Sequence, residues 1–157
     1  MAELSQQKRE ELFDKLIKTY NDFEENHSPY LFENLFLEEM IKRKIKVMDL
    51  AVYCGISDRT IRRYRNNAFS VSKRTIIIFC IGMGTGKEKC EEMLNAKKFK
   101  FTNSSTDTFF KSILELNIPL SVDTVNEFID KFNDMFKSNP AFKKIQRFRN
   151  IYMLNNR

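Results

Sequence analysis

"AVYCGISDRTIRRYRNN", residues 51–67, passes from a small apolar run through a lone glycine into four arginines within seven residues. The whole 157-residue chain has only four glycines, so the position of Gly55 calls for a geometric reason. Two short helices meeting steeply across a tight turn supply one. Such a turn takes a residue that tolerates positive φ, most easily glycine. It also takes a small residue on the first helix, where the second approaches closely. Gly55 and Ala51, four positions apart, meet both demands. Leu50 and Cys54 then face inward from a helix at 47–54, and Ile56, Ile61 and Tyr64 from a helix at 58–66. Ser57 is a suitable N-cap for the second helix, and Asp58 in its first turn suits the positive end of the helix dipole.

Once the inward side is assigned, the outward side follows. Arg59, Arg62, Arg63 and Asn66 stand at i, i+3, i+4 and i+7, which places them on one side of the helix. Arginine offers a bidentate fork to guanine, and asparagine can do the same for adenine. Ser57 and Asp58, at the N-terminal end, complete the candidate base-reading set. Thr60, Arg65, Lys44 and Lys46 form the candidate phosphate-contacting set, with Lys73 and Arg74 clamping the opposite backbone. Phosphate contacts of this kind position a protein without reading sequence.

Charge along the chain points the same way. Net charge is +6, but residues 1–40 hold 4 Lys/Arg against 10 Asp/Glu, and residues 41–101 hold 15 against 5. Residues 102–157 hold 8 against 6. A basic block between an acidic arm and a nearly neutral tail is the footprint of a polyanion-binding surface. "KRKIK" (42–46) contributes Lys42, Arg43, Lys44 and Lys46 to it.

Working outward, the chain reads as all-α. Leu12, Leu16, Ile17, Tyr20 and Phe23 recur at helical spacing over 4–26, and Pro29 ends that segment. Further helices are expected at 30–44, over "RTIIIFCIGM" with Ser72 as N-cap, and over "KEKCEEMLNA". Others follow at 107–117, at 122–136 with Ser121 or Asp123 as cap, and over "AFKKIQRFRNIYML" as a last basic amphipathic helix. The chain divides into an acidic helix and linker (1–29), a DNA-binding domain (30–101) and a C-terminal helical extension (102–157).

Other chemistries find little support. "GMGTGK" (82–87) lacks the first glycine of a phosphate loop, which would be Ile81, and Glu88 stands where Ser or Thr belongs. The single histidine, His27, lies in the linker, so no base-activated nucleophile is evident and the expectation is not an enzyme. Cys54, Cys80 and Cys90 match no metal-ligand spacing and are expected to be reduced and buried. No metal, cofactor or small-molecule ligand is indicated. No stretch reaches the roughly 20 apolar residues of a membrane span, and "MAELSQQKREEL" is too polar for a signal peptide. A cytoplasmic protein is expected.

Residues 31–84 resemble the lambda-repressor/Cro type of helix-turn-helix domain, the Xre family. The likeness is carried by "DLAVYCGISDRTIRRYRNNAFSVSKRTIIIFCIGM": Leu-Ala, Gly, an N-cap, a recognition helix, a loop, then an apolar helix. "EEMLNAKKFKFTNSSTDTFFKSILELNIPLSVDTVNEFIDKF" is similar to an extension that follows this domain in many bacterial predicted regulators. The resemblance implies a lambda-repressor-like core that binds double-stranded DNA as a transcriptional regulator of bacterial, phage or mobile-element origin. Helix 58–66 would lie in the major groove, with two copies on half-sites about one helical turn apart, a homodimer joined through the N-terminal helix or the C-terminal helices. Val47 stands where the family has a phosphate-binding Gln. Asn67 is expected to take the positive φ of the family's turn glycine. The alternative from another class is a protein-interaction module, antitoxin-like or adaptor, that keeps the shape without reading DNA.

Overall fold

A computed structural model describes residues 3–25 and 31–151. The regular elements of the described residues are all helices, with no strand: α1 (Gln6–Glu25), α2 (Phe32–Lys42), α3 (Val47–Cys54), α4 (Asp58–Asn66), α5 (Lys73–Met83), α6 (Lys87–Ala96), α7 (Ser105–Leu114) and α8 (Val122–Phe136). No described helix is long and apolar enough to cross a membrane.

Four helices begin in one way. Ser57, Ser72, Ser104 and Ser121 each accept a hydrogen bond from the backbone N–H three residues on, at Thr60, Thr75, Asp107 and Thr124. Each such cap is worth about 1 kcal/mol. Ser121, not Asp123, caps α8.

The centre of the molecule is α5, buried without interruption from Ile76 to Met83. It packs on α3, α6 and α7, while α2 packs on α4 and α6. Three β-branched isoleucines in a row stay helical because α5 is surrounded on all sides, capped by Ser72 and closed by Gly84 in the left-handed region. Gly82 lets α3 come close: a Cβ there would stand 2.6 Å from Cys54 Sγ. Phe32, Phe36, Phe79, Phe110, Val125 and Ile145 all belong to one apolar cluster, so the core runs on from α2 into α8 and beyond. Cys54, Cys80 and Cys90 are free thiols buried within it, and burial pushes the Cys54 thiol well above its ordinary value.

The C-terminal segment differs from expectation. Residues 142–150, read from sequence as a helix, have no regular secondary structure and run as a strap antiparallel to α8. Asn133 donates to Ile145 O at 2.9 Å and accepts from Ile145 N at 2.8 Å. Asn126 donates to Phe148 O at 2.9 Å and accepts from Phe148 N at 2.7 Å. The two asparagines are seven residues apart, about 10 Å along a helix. Three strap residues cover that distance only when extended. Side-chain amides thus replace the backbone hydrogen bonds a helix would have made, and Ile145, fully buried, anchors the strap. Phe142, Ile145 and Phe148 are spaced by three, which reads as helical but equally suits an extended strap with every third residue turned inward, whereas Ile151, three further on, is exposed.

Candidate nucleic-acid interface

The candidate site is built on the α3–α4 unit. Gly55 closes α3 at φ 67°, ψ 30°, with its N–H on Ala51 O. Ile56 N also bonds Ala51 O, at 3.2 Å, which fixes the turn before Ser57 opens α4. Leu50, Ala51, Cys54, Ile61 and Tyr64 are buried, and Ile56 is partly buried against the same cluster. Phe79 on α5 meets the Tyr64 ring edge-on at 6.2 Å. With Ile61 and Tyr64 facing inward, Arg59, Arg62, Arg63 and Asn66 are left exposed on the opposite side, and Arg65 is partly exposed.

These groups are not all unengaged. Arg62 Nη1 donates to Asp58 Oδ2 at 2.8 Å, an i,i+4 pair open to solvent. Such pairs are worth at most about 1 kcal/mol, so a stronger acceptor would draw Arg62 away. The Arg63 guanidinium lies 5.2 Å from the Tyr64 ring centre. The Ser57 hydroxyl serves the cap and donates to Thr60 Oγ1 at 2.8 Å, so both hydroxyls already have local partners.

The loop after α4 corrects one expectation. Asn67 has φ −150°, ψ 101°, an extended conformation and not a left-handed one. Its side chain makes the turn instead, accepting from Phe69 N at 3.0 Å. Glu33 on α2 accepts from Ala68 N at 2.8 Å and holds the loop down. Phe69 itself is 87% exposed. Sequence reading passed over this residue, although an aromatic inside polar "NNAFSVS" was the available signal.

Of the "KRKIK" run, Lys42, Lys44 and Lys46 are exposed. Arg43 turns back to Glu39 Oε2 at 2.8 Å and to Met83 O at 3.3 Å. Lys44 has φ 55°, and its N–H and that of Ile45 bond Ile41 O and Met40 O. A lysine therefore occupies the left-handed position of a Schellman motif, where glycine is usual. Val47 is half-buried at the start of α3.

Lys73 and Arg74 require correction as phosphate contacts, because both are engaged inside the fold. Lys73 Nζ lies 2.7 Å from Asp107 Oδ2 on α7. Burial by itself would raise the Asp107 carboxyl. Hydrogen bonds from Lys73 and from the N–H and hydroxyl of Thr102, together with the Lys73 charge, outweigh it and hold the group below its ordinary value. Arg74 donates to Gln146 O at 2.7 Å and stacks 4.3 Å from the Phe148 ring centre and 5.6 Å from that of Phe110. Its burial lowers the guanidinium pKa. Arg74 holds the strap, whose far end reaches the α3–α4 turn, where Ile151 N donates to Gly55 O at 2.8 Å.

No protein-family model, curated protein or solved structure matches this chain.

Proposed function

We propose that the α3–α4 unit is a helix-turn-helix and that the chain binds double-stranded DNA sequence-specifically, as a transcriptional regulator with α4 in the major groove. The supporting observation is the division of α4 into two faces: Ile61 and Tyr64 are buried, and Arg59, Arg62, Arg63 and Asn66 are exposed. Four arginines on one nine-residue helix repel one another, and a phosphate-lined groove relieves that repulsion. In this reading Arg59, Arg62, Arg63 and Asn66 face base edges. Lys42, Lys44, Lys46 and Arg65 meet phosphates, and Phe69 is an apolar contact beside them. Asp58 holds Arg62 ready and releases it to a base. The sequence resemblance to the Xre family adds the same expectation.

Selection of bound DNA from random oligonucleotides tests the reading. The wild-type chain is expected to enrich a motif at physiological salt. Changing one base-reading arginine to Ala relaxes one position and costs about 1–3 kcal/mol. Changing Lys44 weakens all sequences alike and flattens the salt dependence. Failure of the wild type to enrich any motif would refute sequence-specific binding.

One observation favours the alternative, a protein-interaction module. Leu37 and Ile41 on α2 and Met48, Val52 and Tyr53 on α3 are exposed, which suits an apolar partner surface better than a phosphate backbone.

A further inference from the structure

The N-terminal helix presents an apolar stripe to solvent. Every described residue from Gln6 to Asn21 is exposed. Leu12 is 43%, Phe13 60%, Leu16 61%, Ile17 44% and Tyr20 58% exposed. Their spacing of 12, 13, 16, 17 and 20 gathers them on one side of a helix about 30 Å long. A lone helix of this length is marginal in water, and helices of this kind gain most of their stability by packing an amphipathic face.

The charges are also mismatched to the helix dipole. The first turn of α1 holds no acid and the last turn no base. Lys8 and Arg9 near the N-terminus are balanced by Glu10 and Glu11, with Lys8 Nζ 3.6 Å from Glu11 Oε2, whereas Asp22, Glu24 and Glu25 give the C-terminal end a net negative charge. A helix favours the reverse, acids at its N-terminus and bases at its C-terminus. One arrangement resolves both defects. When two α1 helices lie antiparallel, each acidic C-terminal end falls beside the positive dipole end of the other, where Lys8 and Arg9 are balanced by Glu10 and Glu11, and the stripes cover each other. A parallel pair would bring the acidic ends together.

We infer that α1 is a self-association element that pairs antiparallel with α1 of a second copy, centred near Leu16. Burying the exposed parts of the five apolar side chains removes roughly 500 Å² per copy, about 1,000 Å² in all, which reaches the size of a specific interface. The pairing does not depend on DNA reading and is tested without DNA.

The measurement is sedimentation velocity of the full chain across micromolar concentrations. The wild type is expected at twice the monomer mass. Leu16→Ser with Ile17→Ser is expected to raise the dissociation constant at least about tenfold, with the circular dichroism of the other helices retained, since these side chains lie in no part of the core. A second readout fixes the direction. Positions 8 and 24 are symmetric about 16, so Lys8→Cys chains mixed with Glu24→Cys chains form a disulfide-linked pair under mild oxidation. The three native thiols are buried and do not compete. A monomeric wild type, or a dimer unaffected by the double substitution, overturns the inference. Efficient cross-linking of Lys8→Cys chains to themselves, with none between 8 and 24, overturns the antiparallel direction.

Discussion

The strap gives the sharpest test of how this fold is held together. Asn126 is 5% exposed and spans Phe148 with two hydrogen bonds at 2.7 and 2.9 Å. Asn126→Ala removes both and leaves the N–H and C=O of a half-buried residue to find water. At about 1 kcal/mol per neutral bond, the loss is about 2 kcal/mol. For a chain of this size that lowers Tm by about 4–8 °C. Asn133→Ala, on the less buried of the two clasps, is expected to cost about 1–2 kcal/mol by the same count. The double variant should fall short of the sum, because a strap already released by one substitution has little left to lose from the other. Thermal melts give the totals, and amide hydrogen exchange locates the effect. Protection of the Ile145, Phe148 and Ile151 amides should drop together while α5 amides keep theirs. Unchanged protection at Phe148 in Asn126→Ala, or a fully additive double variant, would refute the two-point clasp.

Three further outcomes follow from single positions. Lys44→Gly relieves a left-handed lysine and should stabilise the chain by up to about 1 kcal/mol while weakening the proposed DNA binding, so melts and binding isotherms should move in opposite directions. Arg74→Lys keeps the charge but loses the planar stack between Phe110 and Phe148. It should cost about 1–2 kcal/mol in a melt, and Arg74→Gln should leave the salt slope of the proposed DNA binding unchanged, whereas loss of a phosphate contact would flatten it by about one unit. Asp107, whose carboxyl is held below its ordinary value, contributes stability that is present above the unfolded value of about 3.9. That contribution is lost as pH falls through the lower folded value. Urea titrations should therefore find Asp107→Asn less stable than wild type at neutral pH, with the gap closing below about pH 4.

The legibility of the sequence varied with the range of the interactions involved. Caps and turns were readable because they are local. Ser57, Ser72 and Ser121 each act on a backbone N–H three residues away, and Gly55 takes a left-handed φ at the end of its own helix. Burial on α4 was readable because Ile61 and Tyr64 are the apolar side of a strongly two-faced helix. Asn126 was the missed signal: it lies on the same side of α8 as Val122, Val125 and Ile129, where a polar residue needs a buried partner.

Local patterning along the chain dictates the helical class, where most of the helices begin, and that the arginines of α4 face away from the core. Tertiary structure alone decided that residues 142–150 are extended, because two asparagine side chains from another helix outbid intrahelical bonding there. It likewise decided that Lys73 and Arg74 face Asp107 and the strap. The charge of each was evident from sequence, but its partner lies 34 residues away for Lys73 and 72 for Arg74. Only folding brings groups so distant along the chain to within 3 Å.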